Sequence, residues 1–242
     1  MANRGETKSQ KSLSAPKARY FMRKENVFTI QSKPGPHTKE TSVPLAFILK
    51  HLLEAVRNMK EAKKIISEGK VKVNGSVRKN HRFPVGLFDV VAMDDAKKKY
   101  RAIFDKKGRI VMKEVDAKGK DFKISKVVNK RKVKGGKTWI TTNDGFTIAI
   151  EKERINVDDS IKVSLPEVKI EEIYPMEKGY IVFLTGGTHV GETNTVESVD
   201  KGSLQKKKFV SLGDKETGFQ TVTRNVMVVG KSKSEVEVLK AE

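Results

Sequence analysis

Basic side chains are concentrated between Lys60 and Arg82, where their chemistry would be the binding of phosphates. The stretch holds eight lysines and arginines against two carboxylates, Glu61 and Glu68. Because lysine and arginine neutralise phosphate oxygens, such a run indicates contact with a nucleic-acid backbone. The candidates for direct contact are Lys63, Lys64, Lys70, Lys72, Arg78, Lys79 and Arg82.

A second basic run lies between residues 130 and 137. Gly135 and Gly136 predict that this run is the tip of a β-hairpin. We expect its side chains to contact phosphate, and the alternative is a solvated tip with no partner. The candidates here are Lys130, Arg131, Lys132, Lys134 and Lys137.

Residues 1–41 read as a basic arm, because prolines and glycines interrupt any long helix and apolar residues are few. One interpretation is a tail that is disordered when free. The other is a tail that orders on RNA, with Tyr20 or Phe21 stacking or docking. The basic candidates of the arm are Lys8, Lys11, Lys17 and Arg19.

Residues arranged for catalysis or for metal binding are not recognisable in the sequence. The four histidines are scattered, and Asp158-Asp159 is typical of a turn. The loop from Thr185 to Gly191 lacks the Gly-Lys-Ser/Thr ending of a phosphate-binding loop. With no cysteine, disulfides and thiolate zinc sites are excluded. The sequence therefore predicts no enzyme, no cofactor, no metal and no small-molecule substrate.

The overall charge supports a polyanionic partner. The 242 residues include 50 Lys+Arg and 30 Asp+Glu, which gives a net charge of +20 and a pI near 9.9. A solvated cationic surface without a partner is the alternative, but excess charge destabilises a compact fold. The longest apolar run, 43–49, is far shorter than the about 20 residues of a membrane helix. No secretory signal is visible, so we expect a soluble protein without a membrane partner.

Local signals predict how the first basic stretch is held. Asn58 is a helix cap that Glu61 can complete as a capping box. Gly69 supplies the left-handed helix stop, and Asn74-Gly75 predicts a two-residue hairpin turn. A short basic helix is thus followed at once by a basic hairpin.

A preceding helix is predicted to begin near Ser42, with Ser42 as its cap and Pro44 in its first turn. Its apolar residues have helical spacing and read as core: Leu45, Ile48, Leu49, Leu52, Leu53 and Val56.

The rest of the chain is strand-rich, with turn signals at short spacing. Asn143-Asp144-Gly145 predicts a hairpin, and Trp139 reads as core, with base stacking as the lesser alternative. Four or five strands after Glu177 suggest a small closed barrel, and the tail after Gly230 a frayed end.

The predicted fold class is α+β, multi-module and mostly β. We expect a basic N-terminal arm (1–41), a two-helix plus hairpin RNA-binding domain (42–105), a central β domain (106–175) and a small barrel with a frayed tail (176–242).

Several motifs resemble known families. The run from Lys64 to Gly75, followed by Gly86 and Asp89, resembles the alpha-L (S4-type) RNA-binding domain, and the segment 179–200 resembles a KOW motif. The phrases 13–16, 34–37, 77–91 and 183–187 are similar to the archaeal and eukaryotic small-subunit ribosomal protein S4e family. The resemblance covers nearly the whole chain in the same module order.

This resemblance implies a structural protein of the small ribosomal subunit that binds rRNA in the cytoplasm and supports assembly and translation. It also implies a C-terminal SH3-like barrel. Residues 176–242 hold 10 basic and 9 acidic residues, and Glu192 follows the KOW glycine. We therefore expect this barrel to contact neighbouring ribosomal proteins. Two other hypotheses stay open, an RNA-modifying enzyme and a regulator that docks a protein partner.

Overall fold

The computed structural model of the chain divides into two compact units, which we describe separately. One unit holds residues 1–105 with 109–119, and the other holds 106–108 with 120–242. The structure describes residues 9–94, 98–115, 121–133, 137–150, 155–200, 202, 208–213, 218–231 and 236. Strands dominate both units, so the predicted fold class is confirmed. The four-part division into domains remains a prediction.

The strands of the first unit are β1 (Ser9–Lys11), β2 (Phe28–Ile30), β3 (Val43–Pro44), β4 (Val71–Val73), β5 (Ser76–Val77), β6 (Pro84–Val85), β7 (Val90–Met93), β8 (Lys98–Phe104) and β9 (Ile110–Val115). They form a five-stranded antiparallel sheet of order β5-β4-β7-β8-β9 and two further strand pairs, β1-β2 and β3-β6. The predicted hairpin turn joins β4 and β5, with φ of 54° at Asn74 and 75° at Gly75. Single 3₁₀ turns span Ser12–Ser14 and Lys39–Thr41.

Helix α1 starts later and ends earlier than the sequence predicts. It spans Leu45–Phe47 and continues as a π-helical turn over Ile48–Leu52. Ser42 is not its cap, because β3 pairs with β6 and keeps the chain extended up to Pro44. The start of the predicted apolar face is core, but Val56 is buried beyond the end of the helix.

Helix α2 spans Met59–Ser67 and has the predicted cap. Asn58 Oδ1 accepts the Glu61 N–H at 2.9 Å. Glu61 Oε2 accepts the Arg57 N–H at 3.0 Å. In a standard capping box, it would accept the N–H of the cap residue itself, which here is Asn58. Gly69 has φ of 84° just past the helix end, as predicted.

We expect Asn58→Ala to lower the free energy of unfolding by about 1 kcal/mol, because the first turn of α2 loses its side-chain acceptor. Urea unfolding followed by circular dichroism measures this change. Asn58→Asp should retain most of the stability, and equal losses for both variants would contradict a capping role.

The described part of the arm packs on its own unit. The rings of Phe21 and Phe47 meet edge to face at 5.3 Å. The Ile110 N–H donates to the Ala18 carbonyl at 2.8 Å, so the arm also bonds to the start of β9. From residue 9 onward the arm is therefore part of the unit and not a free tail.

The strands of the second unit are β10 (Phe122–Lys132), β11 (Thr138–Thr142), β12 (Thr147–Ile150), β13 (Ser160–Ser164), β14 (Lys169–Tyr174), β15 (Ile181–Leu184), β16 (Thr193–Val199), β17 (Phe209–Leu212), β18 (Phe219–Val222) and β19 (Val226–Gly230). They form two five-stranded antiparallel sheets, of order β12-β11-β10-β13-β14 and β18-β17-β16-β15-β19. A 3₁₀ turn over Thr223–Asn225 links the last two strands. The core of the first sheet centres on Val127, Ile140, Ile155 and Ile161.

Buried polar contacts join these two sheets. Lys126 Nζ donates to the carbonyls of Thr223 and Val226, and the Val228 N–H donates to Ser160 Oγ at 3.0 Å. Burial lowers the pKa of Lys126, although Asp158 at 3.3 Å opposes that shift. The two sheets therefore belong to one compact unit.

The predicted hairpin at residues 143–145 has a second role. Asp144 is buried, and its carboxylate lies 3.1 Å from the buried Lys123 Nζ and accepts the Ser125 hydroxyl. This polar cluster lies between β10 and the turn that joins β11 to β12.

No helix in the described ranges is long and apolar enough to cross a membrane.

Candidate nucleic-acid interface

Exposed cations of helix α2 and of the hairpin form what we call the helix–hairpin face. Its exposed members are Lys63, Lys64, Lys70, Arg78 and Lys79. Lys63 and Lys64 lie on α2, Lys70 precedes β4, and the other two follow β5. A Cβ placed on Gly69 would lie 3.8 Å from Lys79 Cε, so the hairpin cation reaches the helix end. The predicted helix and hairpin are both present, and the shared binding role of these cations remains a prediction.

The ion pairs described near this face are exposed. Lys70 Nζ lies 3.5 Å from Glu68, and the half-buried Lys72 lies 2.9 Å from Asp94. Ion pairs this exposed contribute little stability, so a phosphate can replace the carboxylate at small cost. Arg78 places its guanidinium 4.7 Å from the centre of the Phe83 ring, which restricts its orientation.

Asp89 anchors the hairpin turn through hydrogen bonds. This buried carboxylate accepts the Asn74 side-chain amide at 2.7 Å and the Gly86 N–H at 2.8 Å, and its Oδ2 lies 2.9 Å from His37 Nε2. The Val90 N–H in turn donates to Asn74 Oδ1 at 2.9 Å. One carboxylate therefore links the turn, the following loop and the arm.

Gly86 makes this arrangement possible. A Cβ at this position would lie 2.4 Å from the ring of His37, so any larger residue would displace the ring from Asp89.

We expect Asp89→Asn to lower the free energy of unfolding by about 2 kcal/mol. Both carboxylate oxygens of Asp89 accept hydrogen bonds, whereas the asparagine side chain has only one oxygen that can accept them. Urea denaturation measures the loss. Asp94→Asn is the matched control, since Asp94 is exposed, and should change stability by less than about 0.5 kcal/mol. Similar losses for both would contradict the anchoring role of Asp89.

Two predicted contacts are corrected, because Arg19 and Arg82 are buried. Arg19 donates to the Ile30 carbonyl at 2.7 Å and to Ser32 Oγ at 2.8 Å, and burial lowers its pKa to about 10. Arg82 Nε donates to the Gln31 carbonyl at 3.0 Å. Both guanidiniums hold the arm inside the unit, so neither belongs to the exposed surface.

The other arm candidates divide into two groups. Lys11 and Lys17 are exposed, whereas Lys8 lies outside the described residues. Of the two aromatic candidates, Phe21 docks on Phe47, while Tyr20 is exposed with the Arg109 guanidinium 4.7 Å from its ring centre.

In the second unit, the basic residues at the end of β10 point to two opposite sides of the sheet. Arg131 lies directly opposite Trp139, while Lys130 and Lys132 point to the other side of the strand. Lys130 Nζ also donates to the Ile155 carbonyl at 2.8 Å. Lys132 and Lys137 are exposed, and Lys134 is outside the described part of the chain.

The prediction that Trp139 is core is wrong, because its side chain is 43% exposed. Its neighbour Ile140 fills the core on the other face of β11. Successive side chains of a strand point to opposite faces, so Trp139 lies on the face of β11 that does not point into this core.

A cavity of about 640 Å³ in the first unit was not predicted. Its lining includes Phe21, Phe28, Lys50, His51 and Lys63, from both the arm and the helices. Burial, and secondly Lys50, lower the pKa of His51, while Glu25 opposes that shift. The cavity depends on the docked arm, which no local sequence signal revealed.

No group of three or more His, Asp or Glu side chains in the described ranges is placed to hold a metal ion. The exposed cations of the helix–hairpin face are typical of a nucleic-acid-binding protein.

Comparison with known families extends this conclusion. Three family descriptions match the chain: the RS4NT (NUC023) domain over residues 4–40, the S4 domain over 44–91 and the ribosomal family S4e over 96–170. The S4 domain match covers both helices and the hairpin.

Similar proteins cover the full length. The small ribosomal subunit protein eS4 of Methanosphaera stadtmanae is 36% identical over 99% of each chain. That of Archaeoglobus fulgidus is 38% identical over 95% of this chain and 96% of its own. The crystal structure of the 30S ribosomal protein S4e from Thermoplasma acidophilum matches with a TM-score of 0.67 and 29% identity, over 80% of this chain and 97% of that one. The chain belongs to the S4e (eS4) family, as its motifs predicted.

Proposed function

We propose that this protein is a structural constituent of the small ribosomal subunit in the cytoplasm, where it binds small-subunit rRNA and supports assembly and translation. The observation that carries the proposal is the helix–hairpin face, whose five exposed cations lie on a scaffold fixed by Asp89. Membership of a family whose relatives are named as small-subunit proteins supports the same role.

Recognition would rest on phosphates and on shape. The major groove of A-form RNA is too narrow for side chains to read bases, so cations on a rigid face can follow the backbone without reading sequence. The proposed phosphate contacts are Lys63, Lys64, Lys70, Lys72, Arg78 and Lys79 in the first unit, Lys130, Arg131, Lys132 and Lys137 in the second, and Lys11 and Lys17 in the arm.

The sheet formed by β15–β19 is proposed to contact neighbouring ribosomal proteins. Its segment of the chain is nearly neutral, with 10 basic and 9 acidic residues in 176–242. Such a surface has little electrostatic attraction for RNA, which leaves protein contacts as its better-supported role.

Filter binding to small-subunit rRNA over a salt series tests the RNA contact. If only the six proposed contacts of helix α2 and the hairpin are neutralised, log affinity should fall against log salt with a slope of about −4 to −5. Contacts from the arm and the second unit would make the slope steeper. A flat salt response would contradict the proposed mechanism.

Sedimentation through a sucrose gradient separates this proposal from its alternatives. We expect the protein to migrate with the small subunit, whereas a free regulator would stay at the top of the gradient. New modified nucleotides in rRNA after incubation with the protein would instead favour an RNA-modifying enzyme.

A further inference from the structure

One face of the sheet in the second unit displays an exposed tryptophan among small and polar side chains. Residues directly opposite each other on paired strands lie on the same side of a sheet. Trp139 lies opposite Arg131 on one neighbouring strand and opposite Ala149 on the other. Two residues away along β11, Thr141 lies opposite Asn129 and Thr147 in the same way. We call these six residues the tryptophan face.

The tryptophan is not needed for the core beneath it. Ile140 and Ile150 point to the opposite side, where both are buried in the apolar cluster of the unit. Trp139 is 43% exposed although its side chain is large and mostly apolar. An indole this exposed can stack with a planar group from a ligand.

The neighbours of Trp139 favour a nucleotide as the occupant. Ala149 is small and exposed, which leaves room beside the indole, and Arg131 on the other side is exposed and cationic. None of the six side chains of the face is acidic. An aromatic ring with an adjacent guanidinium matches the two parts of an unpaired nucleotide, a flat base and a charged phosphate.

We propose that an unpaired RNA nucleotide stacks its base on Trp139 and places its phosphate against Arg131. The proposal deepens the rRNA-binding function, on which it rests, by adding a single-stranded subsite to the phosphate contacts of the helix–hairpin face. Stacking on a sheet aromatic does not depend on base identity, because every base has a π-face. The subsite would therefore select for unpaired RNA and not for a sequence.

The tryptophan provides its own reporter, since the chain contains only one. Titration of the intact protein with a short single-stranded oligouridylate should quench the intrinsic fluorescence with a saturable curve. The same oligonucleotide annealed to its complement should quench much less, because its bases are no longer available to stack. Binding without any quenching would overturn the proposal.

Substitutions separate stacking from general attraction, with binding followed through the anisotropy of a labelled RNA. Trp139→Ala should weaken binding of the oligonucleotide by about 5- to 150-fold, and Trp139→Phe by clearly less. Arg131→Gln should reduce the salt slope by about one. Phe209→Ala, which removes an exposed aromatic from another sheet of the same unit, is the matched control and should leave affinity unchanged.

Two results would count against the subsite while leaving the rRNA-binding function intact. If Trp139→Ala keeps full affinity for the oligonucleotide while whole rRNA still binds with a steep salt slope, the stacking site is absent. If the variant binds RNA normally but no longer enters the small subunit, the tryptophan contacts a protein. Loss of rRNA binding by the unaltered protein would instead refute the proposed function itself.

Discussion

Removal of the five exposed cations of the helix–hairpin face should lower the affinity for small-subunit rRNA by about 100-fold or more at roughly 0.1 M salt. The variant replaces each with glutamine, which removes the positive charge and leaves a polar side chain. Each lost phosphate contact should also reduce the salt slope by about one. Filter binding measures both quantities. The residues are Lys63, Lys64, Lys70, Arg78 and Lys79.

A control with the same net charge distinguishes this face from general basicity. It replaces five other exposed lysines by glutamine, and they are Lys24, Lys33, Lys39, Lys98 and Lys107. We expect only a small loss of affinity, since these positions lie outside the proposed contacts. Equal losses for the two variants would mean that net charge, and not the geometry of the face, determines binding.

Asp144→Asn should lower the free energy of unfolding of the second unit by about 3–5 kcal/mol. Lys123 and Asp144 each expose only 1% of their side chains, and their charged atoms lie 3.1 Å apart. Breaking a buried pair leaves a charge in a poorly solvated site, which costs more than the pair itself contributes. Urea denaturation monitored by the fluorescence of Trp139, which lies in the same unit, measures the loss.

The double variant Lys123→Met/Asp144→Asn tests the cause of that loss. It removes both charges, so it should be more stable than Asp144→Asn alone even though it carries one more substitution. A double variant as unstable as the sum of the two single variants would show that the two side chains act independently.

The elements that depend on neighbours in sequence were predicted well. Asn58 caps α2 and Asn74-Gly75 forms the hairpin turn, because a cap and a two-residue turn are determined by the few residues that form them. The positions of Lys63 and Lys79 on the exposed surface follow from these local structures.

The predictions that failed concern residues whose partners are distant in sequence. Arg19 and Arg82 look like any other basic residue, and only the docking of the arm buries them. The residue type of Trp139 predicts a core position, but the core side of β11 is occupied by Ile140. Asp144 has the sequence context of a turn, and its contact with Lys123 depends on the pairing of the strands.

The most direct test of the account is to place a chemical probe on the helix–hairpin face. The chain has no cysteine, so single cysteines can carry a tethered iron chelate that cleaves nearby RNA. Ser67→Cys puts the probe at the end of α2 without removing a charge, and Glu114→Cys puts it on β9, at the opposite edge of the sheet from β5. We predict strong cleavage of small-subunit rRNA at discrete sites from position 67 and weak or no cleavage from position 114. No cleavage from position 67 in the bound complex would contradict the central claim.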